Sequence, residues 1–293
     1  MSTPTLQRAI YQACLLEATA QKAGNVHPAA SFKHICYDDF VRSAAAVAPV
    51  LACSGAAGVG QTILSAVRST GTVCSHNTNL GIILLLAPLA AVPADVPLRE
   101  GIGPVLASLS VRDSSLVYEA IRLASPRGLG ESEQENISEE PTRPLVEIMS
   151  LAAERDLIAR QFATDFEFVL GFGLPLLNPD LFSTDWESHV IGLQLAIIAE
   201  TLETDILRKC GRAEAEEASR RARCILNAGW PDSSSAQLRF SEFDGWLRET
   251  GSRRNPGTAA DLVTACLFAA FREGLLDIPD QPMGSEPYPT GNS

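Results

Sequence analysis

The stretch "GIILLLAPLAAV", residues 81–92, is the longest apolar run in the chain and the segment around which the fold must be built. Its 12 residues are too few for a membrane span, which needs about 20, so they predict a helix buried in a protein core. Five polar residues, "SHNTN" at 75–79, directly precede this run. One of them is enough to cap the helix. All five together suit a site for an anion or a polar ligand, because the first N–H groups of a helix are free to bind one.

Helical spacing of apolar residues extends to both sides of this run, and strand-like alternation is scarce. Helices are predicted from Ser2-Thr3-Pro4 to a stop at Gly24, after Asp38-Asp39, and at 59–69, 78–92, 101–111, 114–124 (capped by Asp113), 144–170, 186–208, 211–228, 235–250 and 257–275. The predicted fold class is therefore all-α, a multi-helix single globular domain with no significant sheet. The alternative is two helical halves that meet at the polar loop 125–144. The domain is expected to cover 1–276, followed by a flexible Pro/Gly-rich tail at 277–293.

Composition excludes several classes of partner. The 293 residues carry a net charge of −12 and a pI near 4.8, so the chain has no excess of basic residues to face nucleic acid or an anionic membrane. We expect neither as a partner. The seven cysteines are scattered without a C-x-x-C pair, which indicates reduced thiols and a cytoplasmic protein. The N-terminal residues show no signal-peptide pattern.

A near-match to a phosphate-binding loop occurs at "GAAGVGQT", residues 55–62. Gln61 occupies the position of the P-loop lysine, whose fixed charge would contact the β- and γ-phosphates. The preceding segment is alanine-rich and lacks the Val/Ile density of a central parallel strand. We therefore predict a Gly-rich turn between two helices rather than a phosphate-binding loop.

Two acidic residues interrupt the apolar pattern where a carboxylate needs an explanation. Glu17 falls on the apolar stripe of the first helix, so it must meet a cation, a ligand or a metal. A structural ion pair is the simplest partner. Asp261 follows Thr258 with the spacing of a helix capping box, which accounts for both residues. Gly257, with two arginines just upstream, would also suit a phosphate.

Two mixed-charge segments are open to two interpretations. In "AAERDLIARQF", 152–162, Asp156 and Arg160 have the i, i+4 spacing of an exposed ion pair. Arg155 lies on another side of the same predicted helix, which indicates that more than one side faces polar groups. In "LETDILRKCG", 202–211, Arg208 and Lys209 follow two acidic residues near a helix end, where the helix dipole favours cations.

Together these segments resemble one family, the triphosphoribosyl-dephospho-CoA synthases. The segments that carry the resemblance are "EATAQKAGNV" (17–26), "YDDFVRSAAA" (37–46), "GVGQTILSAVR" with "NTNLGIILLLAPLA" (58–90), "YEAIRLASPRGLGE" (118–131), "AAERDLIARQF" (152–162) and "NPGTAADLVTACLF" (255–268). They occur in family order and span most of the chain. The resemblance implies an all-helical enzyme that joins ATP to 3′-dephospho-CoA and releases adenine, and its product is a prosthetic-group precursor.

This chemistry connects to residue types in the sequence. Loss of adenine develops positive charge at the ribose carbon, so carboxylates are expected beside it, and the triphosphate requires Mg²⁺ together with basic side chains or helix N-termini. The candidate catalytic residues are Glu17, Asp39 and Asp261, with Glu17 and Asp261 also as Mg²⁺ ligands. The candidate substrate-binding residues are Lys22, Asn25, Asn77, Asn79, Arg155, Arg160, Asn255, Gly257 and Thr258. Among these, Asn77 and Asn79 are assigned to ribose or base, and Lys22, Arg155, Arg160 and the 255–258 turn are assigned to phosphates.

The sequence departs from the family pattern at one important place. Better-known members read T-H-K-G where this chain has Thr78-Asn79-Leu80-Gly81, so an imidazole and an ammonium group are lost. The acceptor is therefore open: ATP is expected as one substrate and a nucleotide-like molecule as the other. The alternatives are a related transferase with a different acceptor and a non-catalytic helical binding or assembly protein. A homo-oligomer is compatible with the sequence.

Overall fold

Helix α5 (Leu80–Ala91) is the centre of the protein, as its composition predicts. Every residue from Leu80 to Ala90 is buried in this computed structural model, which describes residues 1–124 and 136–279. Helices α2, α3, α4, α6, α9 and α15 all pack against it. A helix that is apolar on all sides has to be enclosed in this way, because no face of it can be left in water.

The remaining elements surround this helix. In chain order the described ranges contain α1 Thr3–Thr19, α2 Tyr37–Leu51, α3 Ser54–Ala57, α4 Val59–Val73, α5, α6 Leu98–Ala107, α7 Val111–Ala124, α8 Leu145–Ala152, α9 Leu157–Ala163, a π-helical turn Phe168–Gly173, a 3₁₀ turn Leu174–Leu176, α10 Pro179–Thr184, α11 Trp186–Glu200, α12 Thr204–Cys210, α13 Arg212–Asn227, α14 Ser234–Arg248 and α15 Gly257–Arg272. Residues 1–124 and 136–279 contain no β-strand, only two isolated bridges. The all-α prediction is confirmed.

Two predicted long helices are each divided by an acidic residue. The prediction of one helix over 144–170 is wrong, because the carboxylate of Asp156 accepts from the backbone N–H groups of Ile158 and Ala159 at 2.8 and 3.0 Å and so begins a new helix. The predicted helix 186–208 is divided in the same way at Glu203, which caps α12. Side chains of this kind compete with the helical backbone for hydrogen bonds, which ends one helix and begins the next.

Two helix starts differ in detail from the predictions. Helix α7 begins at Val111 rather than Ser114, and Asp113 lies inside its first turn. The Asp113 carboxylate accepts from the backbone N–H of Ser110 at 2.9 Å, while the Ser110 hydroxyl accepts from the backbone N–H of Asp113 at 3.4 Å. This reciprocal pair satisfies two N–H groups at the helix start, so Asp113 takes part in the cap without being the first capping residue.

The Gly-rich stretch 55–62 joins two helices, as predicted. Gly58, with a φ of +84°, ends α3 and begins α4, a backbone conformation that glycine adopts at little cost. The backbone N–H of Gly60 donates to the Asp113 carboxylate at 3.1 Å, so a group that a P-loop would offer to phosphate is already bound.

The predicted polar loop and tail are only partly described. Residues 136–144 of the 125–144 loop contain no helix, and residues 125–135 lie outside the described ranges. Within the predicted tail 277–293, residues 280–293 also lie outside them. No helix in the described ranges is long and apolar enough to cross a bilayer.

Truncation of α5 tests its central position. We expect Leu86→Ala to lower the free energy of unfolding by about 2–5 kcal/mol, since Leu86 is fully buried and its removal leaves a cavity. The matched control is Leu238→Ala, where the side chain is 63% exposed and the expected change is below about 0.5 kcal/mol. Chemical denaturation of both variants measures the difference, and an equal loss at the two positions would contradict the assignment of α5 as the core.

Candidate active site

Five carboxyl groups gather beside the N-terminal end of α15, and we call this set the acidic corner. Asp261, on the second turn of α15, lies within electrostatic range of Asp205, Glu17, Glu203 and Asp156. Burial is the largest effect on Asp261, and together with these four neighbouring charges it raises the pKa of Asp261 well above its ordinary value. Carboxylates within electrostatic range of Asp261 disfavour its charged form, and a buried carboxylate needs a compensating partner.

Glu17 has such a partner in Lys22. The Lys22 ammonium lies 2.8 Å from the Glu17 carboxylate, with side-chain exposures of 0% and 5%, and it also donates to the Glu17 backbone carbonyl. The structural ion pair, which was one of the two interpretations of Glu17, is therefore present. Because the Lys22 ammonium is sealed inside the protein, the arrangement does not support the prediction that Lys22 holds a phosphate.

The loop that carries Lys22 is held from several helices. The backbone N–H groups of Gln21 and Gly24 donate to Glu187 of α11 and Asp244 of α14, at 2.9 and 2.8 Å. Gln194 of α11 donates to the side-chain oxygen of Asn25 at 2.7 Å. The Asn25 amide in turn donates to the Asn255 side chain at 2.7 Å. Asn25 and Asn255, both predicted to bind substrate, thus bind each other and fix this loop against the start of α15.

Glu203, one of the two acidic residues of the 202–211 segment, has a structural role that the sequence did not predict. Its buried carboxylate accepts from the backbone N–H groups of Thr258 and Ala259 at 2.8 and 3.3 Å, and from Ile206 at 2.6 Å. It therefore caps the starts of α12 and α15 together. The predicted Thr258–Asp261 capping box is wrong, because this distant side chain takes the position. The backbone N–H of Gly257 donates to the Asn255 carbonyl at 2.9 Å, and that of Thr258 donates to Glu203. The structure therefore does not support the prediction that Gly257 and Thr258 bind a phosphate.

Asp205 and Asp156 also have partners, which are two cationic side chains for Asp205 and two backbone N–H groups for Asp156. Asp205 forms ion pairs with Arg208 and with Lys209, the latter at 2.9 Å. Asp156 accepts the two N–H groups at the start of α9. The sequence signal for Asp205 was visible in "ETDILRK", but helix-dipole complementation explained it equally well.

Asp261 differs from the other four members of the acidic corner. Within residues 1–124 and 136–279 its carboxyl group makes no hydrogen bond and no ion pair. A Cβ atom added at Gly81 would lie 2.0 Å from an Asp261 oxygen, so the first turn of α5 approaches this group closely only because residue 81 is glycine. A partly buried carboxyl group without a partner, among four that have one, favours a cation as its missing neighbour.

The residues of the acidic corner fit a magnesium ion that arrives with ATP. No group of three or more His, Cys, Asp or Glu side chains in the described ranges is arranged to hold a metal by itself. Protein sites for Mg²⁺–ATP usually supply only one or two carboxylates, and the phosphates provide other ligands. Asp261 can supply one. Glu17, the other predicted ligand, is already paired with Lys22, so the metal role rests on Asp261.

A crevice adjoins the acidic corner and contains an unsatisfied donor. It is lined by Cys14, Glu17, Phe40, Ser43, Ala44, Asn79 and Ile82, and its volume of about 10 Å³ is roughly that of one water molecule. The Asn79 side chain is buried, and its oxygen accepts from the Thr70 hydroxyl at 3.0 Å. Its amide nitrogen has no hydrogen-bond partner in the part of the chain that the structure describes. Since buried donors are almost always paired, this one indicates a site for an acceptor atom.

Two predicted site residues serve as helix caps. The Asn77 side-chain oxygen accepts from the backbone N–H groups of Asn79 and Leu80 at 3.3 and 3.0 Å, so its oxygen is committed to the start of α5. Asp39 accepts from the backbone N–H of Cys36 at 2.9 Å and pairs with Arg42 at 2.7 Å. The hydrogen bond from Cys36, followed by that from Arg42, lowers the pKa of Asp39, so the structure does not support Asp39 as the catalytic base.

Arg155 and Arg160 lie at the junction between α8 and α9. Arg160 donates through Nε to the Ala153 carbonyl at 3.0 Å, across the break between the two helices. The predicted Asp156–Arg160 ion pair is not formed, because Asp156 is the cap of α9. Arg155 is exposed. Asp156 lies within electrostatic range of Asp261, which brings this junction near the acidic corner. The hydrogen bond from Arg160 to the Ala153 carbonyl, however, is a structural contact between α8 and α9.

Comparisons with known proteins identify the family of this chain. The family model described as ATP:dephospho-CoA triphosphoribosyl transferase matches residues 3–278. A Pseudomonas putida protein provisionally named 2-(5″-triphosphoribosyl)-3′-dephosphocoenzyme-A synthase is 31% identical over 104 residues, which cover 35% of this chain and 36% of that protein. The chain thus matches about a third of that relative's length. A crystal structure from Archaeoglobus fulgidus, provisionally described as a triphosphoribosyl-dephospho-CoA synthase, aligns with a TM-score of 0.61 and 26% identity, over 79% of this chain and 98% of the other.

The environment of Glu203 predicts a pH-dependent stability. Burial, then the charge of Asp205, raises the pKa of Glu203 to about 8, against the lowering effects of Ile206 and Ala259 N–H groups and of Lys209. A raised pKa means that the folded protein holds a proton which the unfolded chain has lost, so stability falls as pH rises from about 4.5 to about 8. Glu203→Gln removes this titration. We therefore expect the stability of the variant relative to the wild type to increase between pH 5 and pH 8.5.

Urea unfolding at pH 5, 6.5 and 8.5 measures this change. The titration of Asp261 is present in both proteins and largely cancels from the difference between them. A difference that stays constant with pH would show that folding does not raise the pKa of Glu203.

Proposed function

This chain belongs to the ATP:dephospho-CoA triphosphoribosyl transferase family, and we propose that it transfers the triphosphoribosyl group of ATP to the ribose 2′-hydroxyl of 3′-dephospho-CoA with release of adenine. The observation that carries the proposal is the carboxyl group of Asp261, which has no partner among the described residues. It lies within electrostatic range of four carboxylates that all have partners, and it approaches Gly81 in the first turn of α5. Such a site attracts positive charge, and this reaction supplies it twice: in the cation bound to the triphosphate and in the ribose as adenine departs.

The reaction sets the roles that the site must fill. The acceptor oxygen forms a bond to C1″ of the ATP ribose, while the bond from C1″ to N9 of adenine breaks and its electron pair leaves with adenine. The acceptor loses a proton and adenine gains one. Because positive charge builds up on the ribose ring as in glycoside hydrolysis, a nearby carboxylate stabilises the transition state more than the ground state.

We assign these roles to residues that meet at the acidic corner. Asp261 faces the developing positive charge and contributes a ligand for the cation that accompanies ATP. Bound Mg²⁺ neutralises the triphosphate and orients it. Glu17, which lines the crevice and is held in place by Lys22, receives the proton of the acceptor hydroxyl. Asn79 donates its free amide N–H to a ribose or base acceptor atom.

The cellular location, the partners and the oligomeric state are also proposals. All seven cysteines are free thiols, which supports a cytoplasmic location, where reducing conditions maintain them. The net charge of −12 supports small-molecule partners rather than nucleic acid. A homo-oligomer stays compatible with these features.

Adenine release tests the proposal. The purified protein is incubated with ATP and Mg²⁺, with and without 3′-dephospho-CoA, and adenine and the product mass are followed by chromatography and mass spectrometry. We expect adenine and the triphosphoribosyl adduct in equal amounts, only when the acceptor is present. Stabilisation by Mg²⁺–ATP without adenine would favour a different acceptor, and neither signal would favour a non-catalytic binding protein.

Asp261→Asn connects the reaction to the site. Loss of this charge is expected to reduce kcat by about 100-fold or more, as for other groups that stabilise transition-state charge. The matched control is Asp95→Asn, which makes the same chemical change at an exposed position between α5 and α6 and should leave kcat unchanged. Unchanged turnover in the Asp261 variant would contradict the assigned role.

A further inference from the structure

Two basic side chains lie beside the acidic corner and have no role in the function proposed above. Arg208 and Lys209, in the last turn of α12, both form ion pairs with Asp205, which lies one turn earlier. Their side chains are 32% and 30% exposed, whereas that of Lys22 is fully enclosed. They can therefore meet a ligand from solvent, which Lys22 cannot do.

Asp205 brings this pair next to Asp261. Among the neighbouring charges, that of Asp205 raises the pKa of Asp261 most. Asp205 also lies against the start of α15, because a Cβ atom added at Gly257 would be 2.7 Å from its carboxylate oxygen. Gly257 is about one helical turn before Asp261. The absence of a side chain at Gly257 therefore allows α12 and its two basic residues to approach the site.

The charges of this group do not balance. As a trio, Arg208, Lys209 and Asp205 carry one net positive charge, whereas Glu17 and Lys22 neutralise each other. The charge of Lys209 also acts on Glu203, whose pKa it lowers. Helix-dipole complementation explains basic residues at the end of α12, and their i+3 and i+4 spacing from Asp205 brings both to this one carboxylate. Arg208 offers the planar N–H geometry that binds phosphate oxygens in pairs, and Lys209 offers a compact charge.

The backbone of this turn is also fixed. Arg253 donates to the Lys209 carbonyl at 3.0 Å, and the Cys210 thiol lies 3.4 Å from the Arg253 carbonyl. Arg254, the other arginine upstream of α15, pairs with Glu214 and stacks on Trp246 at 4.2 Å. The two arginines that the sequence offered for a phosphate site thus have structural roles.

We propose that Arg208 and Lys209 bind the triphosphate chain of ATP, and that Asp205 holds both side chains in place until the phosphates arrive. This inference rests on the proposed function for the identity of the substrate, and it concerns a binding site that this function alone does not locate.

Calorimetric binding of inorganic tripolyphosphate, and separately of adenosine, tests the proposal without turnover or metal. We expect Arg208→Gln and Lys209→Gln each to weaken tripolyphosphate binding by about 10-fold or more, as the loss of a hydrogen bond between charged groups predicts. Lys209→Arg, which keeps the charge, should retain most of the affinity. The matched control is Arg212→Gln, which removes an exposed cation paired with Glu216 at the start of the next helix. Adenosine binding should be unchanged in all variants.

Several outcomes would overturn this assignment. They are wild-type protein that does not bind tripolyphosphate, Gln variants that bind it as tightly as the wild type, and an equal loss in the Arg212 variant. Thermal unfolding of each variant separates loss of the site from loss of the fold. Adenine release by the wild type, with no change in the KM for ATP in the Gln variants, would refute this inference alone. Tripolyphosphate binding that depends on both residues but is accompanied by no adenine release would refute the proposed reaction instead.

Discussion

Electrostatic repulsion among five carboxyl groups is the constraint on which this structure depends. Each group has to be compensated, and four are compensated by different means: Glu17 by a buried lysine, Glu203 and Asp156 by helix N–H groups, and Asp205 by two exposed cations. Removal of one partner of a buried ion pair typically costs about 3–5 kcal/mol, so these contacts are necessary for folding around such a site. Among these five groups, Asp261 alone has no partner within residues 1–124 and 136–279, which leaves it for a ligand to compensate.

This compensation also explains why distant segments are joined. To bring one buried ammonium group to Glu17, the loop 21–25 is bound by α11, α14 and the turn before α15. Glu203 fixes α12 to α15 with one carboxylate. Glycine at positions 81 and 257 allows α5 and α12 to approach α15 where any side chain would collide. The site is therefore rigid because its neighbours neutralise charge, and its position relative to the buried α5 follows from ordinary core packing.

The sequence predicted local features well and long-range partners poorly. The apolar composition of 81–92 was sufficient to place α5 in the core, and Glu17 and Asp261 stood out because they interrupt apolar faces. The cap of α15 was mispredicted because its acceptor, Glu203, lies 55 residues away. Asn25 and Asn255 were assigned to substrate for the same reason, since their mutual contact spans 230 residues. Spacing rules describe one helix at a time, so they identify an unusual residue but not the residue that compensates it.

The most direct test of the central role of Asp261 is the position of a bound cation. Crystals grown with Mn²⁺ in place of Mg²⁺ and with ATP would give an anomalous signal that locates the ion. We predict a peak within about 2.5 Å of an Asp261 carboxylate oxygen, the distance expected for a direct ligand. A cation bound by the triphosphate at any place out of reach of Asp261, or ATP bound with this carboxyl group still without a partner, would contradict the assignment of the active site.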